Sequence, residues 1–79
     1  MDQFRQIISR AVFLARDRAG LSQIDLAKAV GIDRSTLSDI EKGVRGCSLE
    51  NACRIAQACG TKLTTLFREL DELEWNSGK

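Results

Sequence analysis

The 79-residue chain has room for one small domain, and a domain of this size buries only about 60–65% of its unfolded surface. The absence of proline and the prevalence of Leu, Ile and Ala point to an all-α fold, and no apolar run is long enough to span a membrane. There is no histidine, no glycine-rich phosphate loop and no carboxylate cluster in an apolar frame, so neither an enzyme nor a Cys2His2 zinc site is expected, and no cofactor.

The glycines Gly20, Gly31, Gly43 and Gly60 each follow a stretch with helical apolar spacing, where a left-handed residue ends a helix. They divide the chain into five predicted helices. The first runs from about Asp2 to Ala19, with Phe4, Ile7, Ile8, Ala11, Val12 and Ala15 on its apolar stripe. The second starts at Ser22, which can cap the free amides with Asp25 three residues on; its core face is read as Ile24, Leu26, Ala27 and Val30. The third follows Asp33, a favourable N-cap residue, and ends near Lys42, with Leu37 and Ile40 inward. Ser48 caps the fourth, and Glu50 suits the helix dipole; its apolar positions are Leu49, Ala52, Cys53, Ile55, Ala56 and Cys59. The fifth is predicted from about Lys62 to Trp75, on Leu63, Leu66, Phe67, Leu70 and Leu73. One domain over residues 1–75 and a flexible end at 76–79 are expected.

Net charge is +1, but it is unevenly spread. Residues 1–62 carry ten Lys/Arg against seven Asp/Glu, and residues 63–79 carry two against four. The N-terminal MDQFRQ lacks the layout of a signal peptide, which points to the cytoplasm. Disulfides are then not expected among Cys47, Cys53 and Cys59, whose spacing fits no familiar ligand pattern.

The informative segment is QIDLAKAVGIDRSTLSDIE, residues 23–41. Two short helices flank a tight turn at Gly31, and Ala27 is small enough to let them approach. The outward face of the third helix offers Arg34, Ser35, Ser38, Asp39 and Lys42, with Thr36 at its margin. Arginine can chelate guanine O6 and N7, hydroxyls serve several base edges, and Asp39 can accept from cytosine or orient Arg34. An ordinary solvated helix face would also satisfy this periodicity.

The words GLSQIDLAKAVGIDRSTLSDIEKGVRG and SLENACRIAQACGTKLTTLF resemble the lambda-repressor/Cro-like, or XRE, helix-turn-helix family. The resemblance covers about Val12 to Phe67. It implies a five-helix lambda-repressor-like domain and double-stranded DNA as partner, with RNA polymerase as a further candidate. It implies base contacts from Arg34, Ser35, Thr36 and Asp39. It places Gln23, Ser38, Lys42 and Arg45 at phosphates, and the Gln23 amide could also brace a side chain of the third helix. Arg16 and Glu41 match an inner salt bridge, with Ala27 and Gly31 as the structural residues of the turn.

Cys47 stands where many relatives carry proline, Cys53, Cys59 and Thr61 replace larger aliphatics, and Phe13 replaces a usual basic residue. Phe13 is then a candidate for contact with a partner chain or with the fifth helix. Leu70, Leu73 and Trp75 lie beyond the usual end of the domain and are expected to join two copies as a homodimer on an inverted-repeat operator. Within the family, the wording D-R-S-T-L-S-x-I-E-x-G-x-R most resembles controller proteins of restriction–modification systems; phage Cro-like regulators and antitoxins share the module. Two other readings stand beside these. A protein-interaction module without DNA affinity would suit the near-neutral charge, Asp33 and Asp39. A thiol switch would use Cys47, beside Arg45, with Cys53 and Cys59 as small buried hydrophobes.

Overall fold

A computed structural model describes residues 3–68; the expectations for Leu70, Leu73, Trp75 and residues 76–79 lie outside the described residues. The five helices are α1 (Gln3–Ala19), α2 (Gln23–Val30), α3 (Arg34–Lys42), α4 (Leu49–Ala58) and α5 (Leu63–Leu66). No strand occurs among the described residues, and no helix there is long and apolar enough to cross a membrane.

The core is built where the apolar stripes of four helices meet: Val12, Leu26, Val30, Leu37, Ile40 and Ile55 are fully buried. α1 packs on α3, α4 on α2, and α5 against α4 and α1. The α2–α3 turn follows from local chemistry. Gly31 adopts φ +86°, and its N–H and that of Ile32 both reach the Ala27 carbonyl, at 2.8 and 3.0 Å. A Cβ at residue 31 would make only an ordinary contact, 4.0 Å from the Arg54 guanidinium, so the positive φ is what favours glycine there. Ala27 itself is 3% exposed, leaving no room for a larger residue where α2 and α3 close.

Three capping expectations separate here. Ser22 and Ser48 accept from the backbone N–H of Asp25 and Asn51, at 3.0 and 3.1 Å. Asp33 occupies the cap position of α3 with extended backbone, but its side chain makes no capping bond.

Several expected core positions lie elsewhere. Ile24 is 52% exposed, because Leu26, Ala27 and Val30 fill the arc of α2 that meets the core and Ile24 falls about 200° from Leu26. Leu49 is 69% exposed: as the first residue of α4 it precedes the turns that pack on α2 through Ala52, Ile55 and Ala56. Phe4, in the first turn of α1, is also exposed. Cys53 and Cys59 are half-buried rather than buried. α5 as described is a single turn, with Phe67 as its cap at φ −103°, ψ 19°.

Candidate nucleic-acid interface

The third helix has two chemically opposed sides. Leu37 and Ile40 anchor it to the core. On the other side Arg34, Ser35 and Lys42 are exposed, and Ser38 and Asp39 are half-buried. Thr36 is half-buried at the margin of this face. Arg45, two residues beyond the helix cap Gly43, is exposed and comes within 3.9 Å of the Asp39 carboxylate. Sequence reasoning made Arg34 the partner that Asp39 could orient; the structure sets Arg45 beside it instead. The Arg45 side chain is 56% exposed and that of Asp39 39%, so the pair is weak and its cation stays available to a phosphate.

The orientation of α3 is set from behind by Glu41. Arg16 of α1 grips its carboxylate in a two-pronged pair, Nε to Oε2 at 2.7 Å and Nη2 to Oε1 at 3.0 Å. The remaining guanidinium nitrogen, Nη1, donates to the Leu21 carbonyl at 2.9 Å. Gln23 Nε2 of α2 donates to the same Glu41 Oε1 at 3.0 Å. The Ser9 hydroxyl donates to the Glu41 backbone carbonyl. The Glu41 side chain is 6% exposed and that of Arg16 16%, so this is a shielded, fully partnered pair. Its hydrogen bonds to Glu41 raise the Arg16 guanidinium above its ordinary pKa, against the lowering effect of burial.

Gln23 thus has the bracing contact that its position left open, and one N–H of its amide remains for another acceptor. Arg34, Ser35, Thr36, Ser38, Asp39 and Lys42 lie on one helix, with Arg45 at its end. Arg16, Gln23 and Glu41 gather at one junction behind it.

Sequence reasoning missed three contacts, two of which had no sequence signature. Ser9 and Arg54 donate to backbone carbonyls, the latter from α4 to Val30 at 3.4 Å. Neither a hydroxyl nor an arginine announces a distant carbonyl. The third is Phe13, whose ring lies 5.4 Å from the Arg16 guanidinium, a cation–π contact at i, i+3 on α1. That spacing was visible. Phe13 is 44% exposed and sits at this junction, on the α3 side of α1.

The cysteines do not look like a switch. Cys47 packs partly against the core and donates to the Ser48 carbonyl at 3.5 Å, and burial pushes its thiol pKa up. Burial also raises Cys59, outweighing the lowering effect of Arg16. An activated thiol needs the opposite shift. Among the described residues no cluster suits a metal ion.

Comparison with known proteins agrees with this geometry. The family model described as Helix-turn-helix (HTH_3) matches residues 13–66. An uncharacterized HTH-type transcriptional regulator of Archaeoglobus fulgidus is 38% identical over 60 residues, covering 76% of this chain and 86% of that protein. The control protein C.MunI of a Mycoplasma species is 34% identical over 59 residues, covering 75% and 80%. Among solved structures, the clp gene regulator ClgR of Corynebacterium glutamicum superposes with a TM-score of 0.83 at 22% identity, over 90% of this chain and 76% of that one. The hypothetical transcription factor NHTF of Neisseria gives 0.74 at 29% identity, over 89% and 84%. With a partly buried brace behind a polar, outward helix face and a matching family model over most of its length, the chain belongs to the XRE/Cro-like helix-turn-helix family of non-enzymatic, DNA-binding transcriptional regulators.

Proposed function

We propose that the chain acts in the cytoplasm as a homodimer on an inverted-repeat operator, with α3 of each copy in the major groove. Arg34, Ser35, Thr36 and Asp39 read base edges. Gln23, Ser38, Lys42 and Arg45 hold phosphates, Gln23 through the N–H that Glu41 leaves over. Leu70, Leu73 and Trp75 join the copies. The observation that supports this most is the contrast across α3: its outer side is polar and accessible, while its inner side is fixed by core side chains and by the Arg16–Glu41–Gln23 brace. A two-fold axis would set the two helices about one DNA turn, ~34 Å, apart.

Selection of bound sites from a random duplex pool tests the reading. It should return two inverted half-sites at one-turn spacing; a pool with no enriched motif would overturn it. Arg34→Ala should weaken specific binding by about 1–3 kcal/mol and relax preference at one position. Lys42→Ala should weaken binding on all sequences and flatten its salt dependence.

Similarity to the control protein C.MunI favours one biological setting, control of restriction–modification genes by the concentration of the regulator itself. That setting requires an operator beside the chain's own coding sequence, where RNA polymerase would be met. A footprint there supports it, and its absence from that region argues for another regulon.

A further inference from the structure

The buried stripe of α1 runs through Ile7, Ala11 and Val12. Phe13 falls beside it and is 44% exposed, so burial gives no account of its ring. Its neighbours on the helix do. Ser9, Phe13 and Arg16 follow one another at four and three residues, which puts them on one side of α1. Ser9 donates to the Glu41 backbone carbonyl, and Arg16 grips the Glu41 carboxylate. The ring thus stands between two groups that hold the same residue of α3.

The Arg16 guanidinium lies over that ring, 5.4 Å from its centre. Three hydrogen bonds already hold it, two to Glu41 and one to the Leu21 carbonyl. The ring adds a fourth contact, from α1 itself, because an aromatic face attracts a cation placed over it. A long arginine side chain loses much rotamer freedom when it is held in one arrangement. A ring three residues earlier on the same helix removes competing arrangements before Glu41 is met. It also shields the guanidinium on one side, where the Arg16 side chain keeps only 16% of its exposure.

We propose that Phe13 is a positioning residue for the third helix: its ring holds the Arg16 guanidinium where it ties Glu41 to the Leu21 carbonyl, and through Glu41 it keeps α3 aimed at base edges. This rests on the reading of α3 given above and adds to it a residue that touches no base. Base contacts carry the sequence information and need their geometry met closely, whereas phosphate contacts carry none directly. Loosening Arg16 therefore costs discrimination more than it costs binding.

Two substitutions separate the ring from its bulk. Phe13→Leu stays apolar and removes the ring; Phe13→Tyr keeps it. Phe13 lies outside the buried set, so both should fold, which circular dichroism checks. The first readout is solvent exchange of the Arg16 Nε–H in the free protein, followed by NMR and assigned by its absence from Arg16→Lys. Phe13→Leu should speed this exchange roughly two- to fivefold, the size of an exposed cation–π contact, and Phe13→Tyr should stay near the wild-type rate. The second readout is the ratio of affinities for the selected operator and for random duplex. It should fall by about the same factor in Phe13→Leu, with the salt slope unchanged, and be restored in Phe13→Tyr. An exchange rate indifferent to Phe13→Leu overturns the proposal, and so does a tyrosine variant as fast as the leucine one. A ratio that falls while exchange stays still overturns it too, in favour of direct contact between Phe13 and DNA. Faster exchange with an unchanged ratio leaves the ring a stabilising contact and nothing more. A random pool that yields no motif removes the reading of α3 and the positioning role with it, and the exchange rates then report only the hold of the ring on Arg16.

Discussion

The junction at Glu41 and the α4–α5 end of the molecule are held by different physics. At Glu41, α1, the entry to α2 and α3 meet on one carboxylate through directional bonds from Arg16 and Gln23. At the other end a single-turn α5 leans on α4 and α1 through Leu66, with Leu63, Phe67 and Cys59 half-buried around it. Burial of apolar surface is non-directional: it fixes proximity and tolerates small shifts of angle. Hydrogen bonds to a shielded carboxylate fix angle as well. The third helix is therefore held by directional bonds in addition to the burial of Leu37 and Ile40, and the α4–α5 end mainly by the more forgiving kind of contact.

The strongest way to break this contrast is Glu41→Ala. It strands the shielded Arg16 guanidinium and the Gln23 amide together, and should lower stability by about 3 kcal/mol in urea denaturation. It should also blur operator preference in whatever protein remains folded. A loss below about 1 kcal/mol would mean that the junction relaxes as easily as an apolar contact.

Ile55→Val, in the fully buried stripe of α4, should cost about 1 kcal/mol and leave the order of preferred DNA sites unchanged. A changed order would show that α4 steers α3 after all. Helix caps sharpen the comparison further. Ser22→Ala should cost about 1 kcal/mol because its cap bond is made, whereas Asp33→Ala should fall well short of that because its cap bond is not. Thermal midpoints of equal size for the two would contradict the capping geometry.

The smallest expected effect is chemical. Burial raises the Cys47 and Cys59 thiols, so both should alkylate with iodoacetamide more slowly at neutral pH than a free thiol. For a group whose folded pKa is raised, the stabilisation is complete below the ordinary thiol range and is lost as pH rises through the shifted value. Alkylation should accelerate over that same alkaline window. Rapid modification at neutral pH would restore the case for a switch.

Much of the fold was legible because short-range chemistry repeats in recognisable spacings. The serine caps at residues 22 and 48, the glycine at 31 and the inward set Leu26, Leu37 and Ile40 could all be read from neighbours within a turn. Ile24 and Leu49 were misplaced because periodicity assigns a face to a helix without saying how far its neighbour reaches along it. The polar side of α3 was legible for the same local reason. The pairing of Asp39 with Arg45 was not, since the path of the chain after Gly43 decides which cation comes near. Donation by Ser9 and Arg54 to carbonyls on other elements left no trace in composition or spacing.

Arg16 has a consequence for the encounter with DNA. One guanidinium ties Glu41 of α3 to the Leu21 carbonyl at the entry to α2, so the two helices of the motif are held to α1 as one body. Little ordering entropy is then left to lose when DNA arrives. Helices tied in this way have less freedom to re-aim the backbone of α3 at a substituted base pair. Mismatches should register at full cost, and adjustment between an imperfect site and this protein falls to the bending and twisting of the duplex.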